Sequence, residues 1–400
     1  MRPRVPWICI LTCLQAREPQ DALCRADGTG GCAQHAGSKL SWRARPYGTK
    51  GEGQWQIYGG SYIRLIFDQV DFEGPVEDDE WHLLWTHFPM DNYLRNLSGG
   101  PRLVHGCQYF TAAGQKCTLA NHLLRVQAAL KQDAGEDHDH LQTYILRNQT
   151  QVTEFRRRLS QEPDKLWLIK SCSAGRSNGI VLLNGRPEHS DTLHKVMFTW
   201  AVAQKYMENP YLGFGGSKFH MRLYVLVTTW HSPAIFLFDE GFIFRSRHKY
   251  DPSSPSVERD VFSAVSDEVE NLALSSLWSH LGEQASEVRL RLRRVLAETL
   301  GVSLKESFGP AERLDERPYA CFDIFGVDVM LDEHLQPFVL EVNTGPNLWL
   351  DEQTAAKQAV IKGAFVHQVL LWAHEWLQRR RSDQPTDQAH KMLLNFTKLL

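Results

Sequence analysis

Between Cys321 and Asn343 the chain carries two strand-like runs, Cys321–Leu331 and Pro337–Asn343, around the polar turn Asp332-Glu333-His334. Both runs are rich in β-branched and aromatic residues, which predicts a hairpin. Side chains alternate faces along a strand, so Glu341 and Asn343 point the same way. A turn centred near His334–Leu335 sets Asp328 opposite Glu341. Three oxygen-bearing side chains then converge on one face of an otherwise apolar hairpin. Hard cations such as Mg²⁺ accept such a set and keep the rest of their shell for water and phosphate. The competing reading is a half-exposed hairpin whose polar residues simply face solvent.

The rest of the chain can house such a site. Four hundred residues, 42% hydrophobic and with a net charge of −3, suffice for a core and exclude a disordered tail. The balanced charge gives no argument for nucleic-acid binding. Basic clusters at Arg289, Arg291, Arg293 and Arg294 and at Arg379–Arg381 read as solvated helix faces. Val5–Leu14 follows a basic start and has the length of a signal peptide, with Ala16 as a small cleavage-site residue. No other run reaches the roughly 18 apolar residues of a membrane span. Cys9, Cys13, Cys24 and Cys32 lie in the first 32 residues, the other four cysteines are scattered, and no CxxC occurs. Neither a zinc site nor a disulfide framework is expected.

Composition divides the chain into a leader at 1–50, an N-terminal α/β subdomain at 51–160, a central and C-terminal region at 161–380, and a tail at 381–400. A helix is expected over 115–127, and the acidic, His-rich stretch Asp133–His140 reads as a loop without a metal. Strands are expected at 166–170, 222–230 and 234–244, and helix throughout 257–300. Ala356–Arg380 has apolar residues at 361, 365, 369, 372, 373 and 376, a helix with one buried face. The alternation argues an α/β or α+β fold.

Trp167–Lys170 is a strand ending in a lysine, followed by the small-residue stretch Ser171–Gly179. Small residues let backbone N–H groups approach phosphate oxygens, and a lysine supplies countercharge. Five motifs occur in order: LWLIKSCSAGRSNGI at 166–180, VAQKYMENPYL at 202–212, KFHMRLYVLVT at 218–228, FGVDV at 325–329 and LEVNTGPNL at 340–348. With them, residues 80 to 375 resemble the tubulin–tyrosine ligase-like family, looking closer to its polyglutamylase-type members than to the tyrosine ligase. The resemblance implies an ATP-grasp fold preceded by an N-terminal α/β subdomain.

It also implies ATP and Mg²⁺, with Asp328, Glu341 and Asn343 as metal ligands. Lys170 and Arg176 would contact phosphate, with Ser177 in the covering loop where many relatives have glycine. Gln204, Lys205, Tyr206 and Met207 match the hinge whose backbone reads adenine. Lys218 and Arg222 take the catalytic positions, Arg222 forking onto a carboxylate or acyl phosphate. His220 stands where relatives carry an acid, replacing a fixed negative charge by an imidazole that titrates near neutral pH. No Thr-Asn pair is found near Arg259–Ser266. Arg245, the candidate for the amino-acid carboxylate, sits one residue late, and a one-residue slip turns a strand side chain to the other face.

The implied reaction adds an amino acid, glutamate by preference, to a protein carboxylate on tubulin tails through an acyl phosphate. In that setting the basic clusters could meet an acidic tail. The expected partners are tubulin or microtubules and an amino acid, with no nucleic acid and no membrane span. The expected location is cytoplasmic, cytoskeletal or ciliary, with reduced thiols, or the secretory pathway if 1–16 is a signal peptide. The alternative is a pseudoenzyme that binds ATP or tubulin without turnover. It is motivated by His220, Ser177 and the absent Thr-Asn pair.

Overall fold

The computed structural model describes residues 40–44, 49–50, 54–55, 61–75, 81–86, 101–106, 114–122, 124, 141–172, 180–230, 232–260, 269–307, 319–350 and 356–400. The fold is mixed α/β, as expected. The described residues group into two compact units. Arg176, Ser177, residues 1–39 and 45–48 of the N-terminal leader, the 133–140 stretch and residues 261–268 lie outside the described set, while residues 40–44 of that leader form a strand.

The first unit comprises residues 1–105, 318–320 and 347–394. It contains β1 (Leu40–Ala44), β2 (Thr49–Lys50), β3 (Gln54–Trp55), α1 (Ser61–Gln69), β4 (Phe72–Glu73), β5 (Leu83–Trp85) and β6 (Leu103–His105). β4, β1, β5 and β6 pair in parallel, in that order. Trp42 and Phe67 stack with centroids 3.9 Å apart, and Trp85 meets Phe67 edge-on. The unit's long helix, Ala356–Arg381, packs against α1. All six apolar positions expected to face inward are buried, but Val366, Leu370 and Leu377 are buried too. More than one face of this helix is therefore covered.

The second unit, residues 106–317, 321–346 and 395–400, holds the predicted site. Its smaller sheet is antiparallel: β7 (Thr143–Ile145), β10 (Ala201–Lys205), β8 (Trp167–Ser171) and β9 (Val181–Leu183), side by side in that order. α2 (Gln149–Gln161) covers it. Asn148 caps α2 by accepting the Gln151 N–H at 3.1 Å. Val152, Phe155 and Leu159 recur at helical spacing and pack on Tyr144, Trp167 and Ile169. A short helix, α3 (Ser190–Val196), leads into β10.

The larger sheet of this unit is also antiparallel. β11 (Phe219–Trp230) lies between β12 (Ser232–Ser246) and β14 (Ala320–Leu331). β14 pairs on with β15 (Pro337–Asn343), while β12 pairs with β13 (Val269–Ala273) and β16 (Phe396–Lys398). The expectation of continuous helix over 257–300 is corrected. α4 (Val257–Asp260), α5 (Leu274–Leu281) and α6 (Ala285–Ser307) are separate, and β13 extends the sheet. Glu270, Leu272 and Ala273 have helical preferences, but pairing with β12 outweighs local propensity. Gly282, at φ 54°, closes α5 with its N–H on the Trp278 carbonyl.

A disulfide joins Cys117 to Cys172, with Cα atoms 5.3 Å apart and a sequence separation of 55. This corrects the expectation of no disulfide pairing. One cysteine lies in the helical stretch 116–122 and the other just beyond β8. Only tertiary folding brings them together, buried beside Ala120 and Val202.

Candidate active site

The hairpin of β14 and β15 delivers its three polar residues as expected, by a different route. Its turn is centred on His334, with Asp332 and Gln336 bonded across it and Leu335 at φ 62°. That register alone pairs Val329 with Val339 and would set Leu340 across from Asp328. A bulge then shifts the ladder by one residue, so that Asp328 pairs with Glu341 and Gly326 with Asn343. Without the extra residue, Glu341 and Asn343 would face away from Asp328.

Asp328 is buried and pairs across β14 and β11 with Arg222. Two hydrogen bonds join them, Arg222 Nε to Asp328 Oδ1 at 2.6 Å and Nη2 to Oδ2 at 2.9 Å. Burial alone would raise the Asp328 carboxyl, but the guanidinium outweighs it and holds the group below the usual range. Gly326 makes room for this fork. A Cβ there would lie 2.9 Å from Pro346 Cβ and 3.1 Å from Arg222 Cδ. The glycine of FGVDV is thus explained by close approach.

Asn343 Nδ2 lies 3.2 Å from Glu341 Oε1 and 3.4 Å from Asp328 Oδ2. Glu341 also meets Lys116, its Oε2 3.4 Å from Nζ. Among the described residues no three His, Cys, Asp or Glu side chains gather as a metal site. The donor set here is two carboxylates and an amide, and its chemistry fits Mg²⁺. Turning the Asn343 amide over would aim its oxygen at both carboxylates, a group of acceptors that a hard cation holds together.

Two lysines face inward nearby. Lys170 is buried at the end of β8 and donates to Gln204 Oε1 at 2.6 Å. Lys218 is 2% exposed. Its Nζ donates to the Met207 carbonyl at 3.0 Å and sits over the Tyr206 and Tyr250 rings, 3.7 and 5.0 Å from their centroids. Burial pushes Lys170 down to about 8, against the opposing pull of Glu341. Burial likewise pushes Lys218 down to about 7, against the pull of Asp260. Neither pairs with a carboxylate among the described residues, so a bound anion would restore their charge.

Of the hinge residues, Gln204 and Tyr206 are buried and Lys205 is half-buried. The Lys205 N–H is bonded to the Gln142 carbonyl at 2.8 Å and that of Tyr206 to Leu166 at 2.9 Å. These two amides serve the fold. His220 shares a sheet face with Arg222 and packs against Phe244 at 5.3 Å. Burial pushes it down to about 4. The imidazole is therefore neutral at pH 6 to 8, which corrects the expectation that it titrates there.

Arg245 is not brought to this cluster. It pairs with Phe219, on the other face from His220, and bonds Glu270 through Nε at 3.1 Å. Its guanidinium rests over Phe214. Sequence reasoning missed Lys116, Tyr250 and Asn271. Asn271 pairs with Phe244, which pairs with His220, so it shares their face. Its Oδ1 is buried without a hydrogen-bond partner among the described residues. Asn271 lies on the strand taken for helix, and no motif surrounds Lys116 or Tyr250.

Two antiparallel sheets presenting lysines beside an acid–amide cluster define an ATP-grasp type of protein. The profile of the Tubulin-tyrosine ligase family matches residues 104–382. The chain belongs to that family, which comprises ligases. It is similar to Tubulin monoglutamylase TTLL4 of Homo sapiens, 27% identical over 337 residues, covering 77% of this chain and 26% of the relative. Tubulin polyglutamylase TTLL5 of Mus musculus is 24% identical over 303 residues, 68% of this chain and 21% of the relative. Probable tubulin polyglutamylase TTLL2 of Mus musculus is 26% identical over 330 residues, 76% of this chain and 56% of the relative. The chain thus spans about a quarter of the length of the first of these relatives.

Proposed function

We infer that the chain is an ATP- and Mg²⁺-dependent ligase that adds glutamate to a carboxylate on tubulin tails. The observation that carries this reading is the cluster of Arg222, Asp328, Glu341 and Asn343, in a unit that also buries two lysines without carboxylate partners among the described residues. The glutamylase names of the relatives support tubulin as the substrate and glutamate as the amino acid. They also favour a cytoplasmic, cytoskeletal setting. No described helix is long and apolar enough to cross a membrane.

Asp328, Glu341 and Asn343 would hold Mg²⁺, which when bound neutralises phosphate charge. Lys170 and Lys218 would hold the ATP phosphates. In the proposed reaction a substrate carboxylate oxygen takes the γ-phosphoryl group and ADP leaves. The amine nitrogen of the incoming amino acid then attacks the acyl carbon, phosphate leaves, and the nitrogen loses a proton. Arg222 orients Asp328 and, with Lys218, places positive charge where the phosphoryl group moves. Catalysis of this kind is positioning plus electrostatic stabilisation.

The pseudoenzyme alternative is not favoured, since nothing in folding calls for two carboxylates and an amide on one face of the hairpin. The test is incubation with microtubules, Mg-ATP and separately labelled glutamate, glycine and tyrosine. Glutamate incorporation into tubulin is expected. Incorporation of glycine or tyrosine alone would overturn the choice of amino acid. No incorporation of any of them, with ATP still bound, would overturn the ligase reading.

A further inference from the structure

The Cys117–Cys172 bond joins two segments that each carry a lysine of the site. Lys116, directly before Cys117, brings its Nζ to 3.4 Å from Glu341 Oε2. Lys170, two residues before Cys172, is buried and donates to Gln204 Oε1 at 2.6 Å. The charges feel one another: Glu341 favours the cationic form of Lys170, and Lys116 opposes it. Around the bond, Ala120 of the helical stretch 116–122 packs with Val202 and the partly buried Ile145, a small apolar contact.

Cys117 and Cys172 are 3% and 4% exposed. Free thiols pack as small hydrophobes. The reduced pair therefore leaves this cluster apolar and filled, and the fold outlasts loss of the bond. What the bond adds is a covalent tether between the segments of Lys116 and Lys170. A tether removes freedom that the site otherwise loses when a ligand binds, which raises affinity. In the cytoplasmic setting inferred above, thiols are kept reduced, and a disulfide there is characteristically transient and redox-sensing.

We propose that Cys117 and Cys172 form a thiol–disulfide switch that tunes the nucleotide affinity of the ligase site, tight when bonded and weak when reduced. The proposal rests on the reading of Lys170 and Glu341 as phosphate and metal residues. The oxidant is a low-molecular-weight disulfide such as glutathione disulfide. One cysteine loses its proton, its sulfur attacks the oxidant, and half of the oxidant leaves as a thiol. The second cysteine loses its proton and attacks the first cysteine's Sγ, and the other half leaves as a thiol. The oxidant thus takes up two electrons and two protons, and a dithiol reductant reverses both steps. Because both sulfurs are nearly buried, each exchange requires the 116–122 stretch to part locally from the end of β8.

The experiment equilibrates the folded full chain with glutathione disulfide or with dithiothreitol. Alkylation and mass spectrometry count the bond, and circular dichroism follows the fold. The bond is expected to open and close with the fold retained. A bond that opens only when the chain unfolds would be a permanent staple and would overturn the proposal. Calorimetry with Mg-ATP is expected to show binding at least about fivefold tighter in the oxidised form. By linkage, Mg-ATP should shift the thiol–disulfide equilibrium toward the bond by the same factor. The double variant Cys117→Ala, Cys172→Ala should bind like the reduced protein and ignore both reagents. Equal affinity in the two wild-type forms, tighter binding by the reduced form, or a response that persists in the double variant would overturn the switch alone. Absence of ATP binding in both forms would overturn the reading of the site, and the switch with it. Acetylation of Lys116 supplies a readout without nucleotide. It should be slower in the oxidised form, and equal rates in both forms would remove the tether.

Discussion

Arg222 holds Asp328 at two points at once, and side chains of both are nearly buried, 12% and 8% exposed. A buried carboxylate that loses its paired cation is strongly penalised. Arg222→Ala is therefore expected to cost about 3–5 kcal/mol of stability. Arg222→Lys keeps the charge but loses the planar fork, so it should cost less stability yet still remove turnover. Urea unfolding of the three proteins checks the order. An Arg222→Ala midpoint equal to wild type would mean that the fork does not secure Asp328.

Glu341→Gln should abolish ligation with the fold intact. The Glu341 side chain is 30% exposed and its ion pair is with Lys116, so little stability rests on it. A lost charged ligand weakens Mg²⁺ and leaves phosphate charge uncompensated, an effect of several kcal/mol on the barrier. The check is ligation rate against Mg²⁺ concentration. A wild-type rate at every concentration would remove Glu341 from the metal site.

Nucleotide binding should take up protons. Lys170 and Lys218 sit at about 8 and about 7 in the free protein, below the ordinary 10.5. Bound phosphate favours their charged forms and raises both values. ATP affinity should then be highest below about pH 7 and fall as pH rises through 8. Stability of the free protein has the opposite sign. The unfolded lysines hold more protons between about 7 and 10.5, so stability rises with pH across that window and is lost as pH falls through the folded values. Calorimetry at pH 8 in two buffers of different ionisation enthalpy measures the uptake. Proton release on binding would contradict this account.

Gly326→Ala should damage the site more than the sheet. The new methyl group would press on Pro346 and on Arg222 Cδ, both in tight contact range. Arg222 is then pushed off Asp328, so turnover should fall at least tenfold with a destabilisation of about 1–3 kcal/mol. Ligation rate and thermal unfolding, measured together, separate the two effects.

Much of this was legible in the residues. β8, β11, β12, β14 and β15 carry runs whose composition marks them as strands, and the Asp328–Glu341 pairing was read correctly although the bulge that produces it was not. What escaped depends on tertiary contact. β13 is a strand because β12 offers an edge. Cys117 finds Cys172 only once β8 is seated, and Lys116 meets Glu341 only in the folded unit. The charge state of His220 is set by burial, which no spacing reveals. The one-residue offset of Arg245 was readable, and the opposite-face placement follows from it.

The bulge in β15 makes this hairpin sensitive to reading frame. A substitution between Leu331 and Glu341 alters one position. Gaining or losing a single residue there rotates Glu341 and Asn343 together onto the wrong side of the sheet. Such a change is harmless only if the turn and the bulge compensate, one lengthening as the other disappears. Evolution and protein engineering can therefore vary this hairpin freely in composition, while its length can change only in such matched steps.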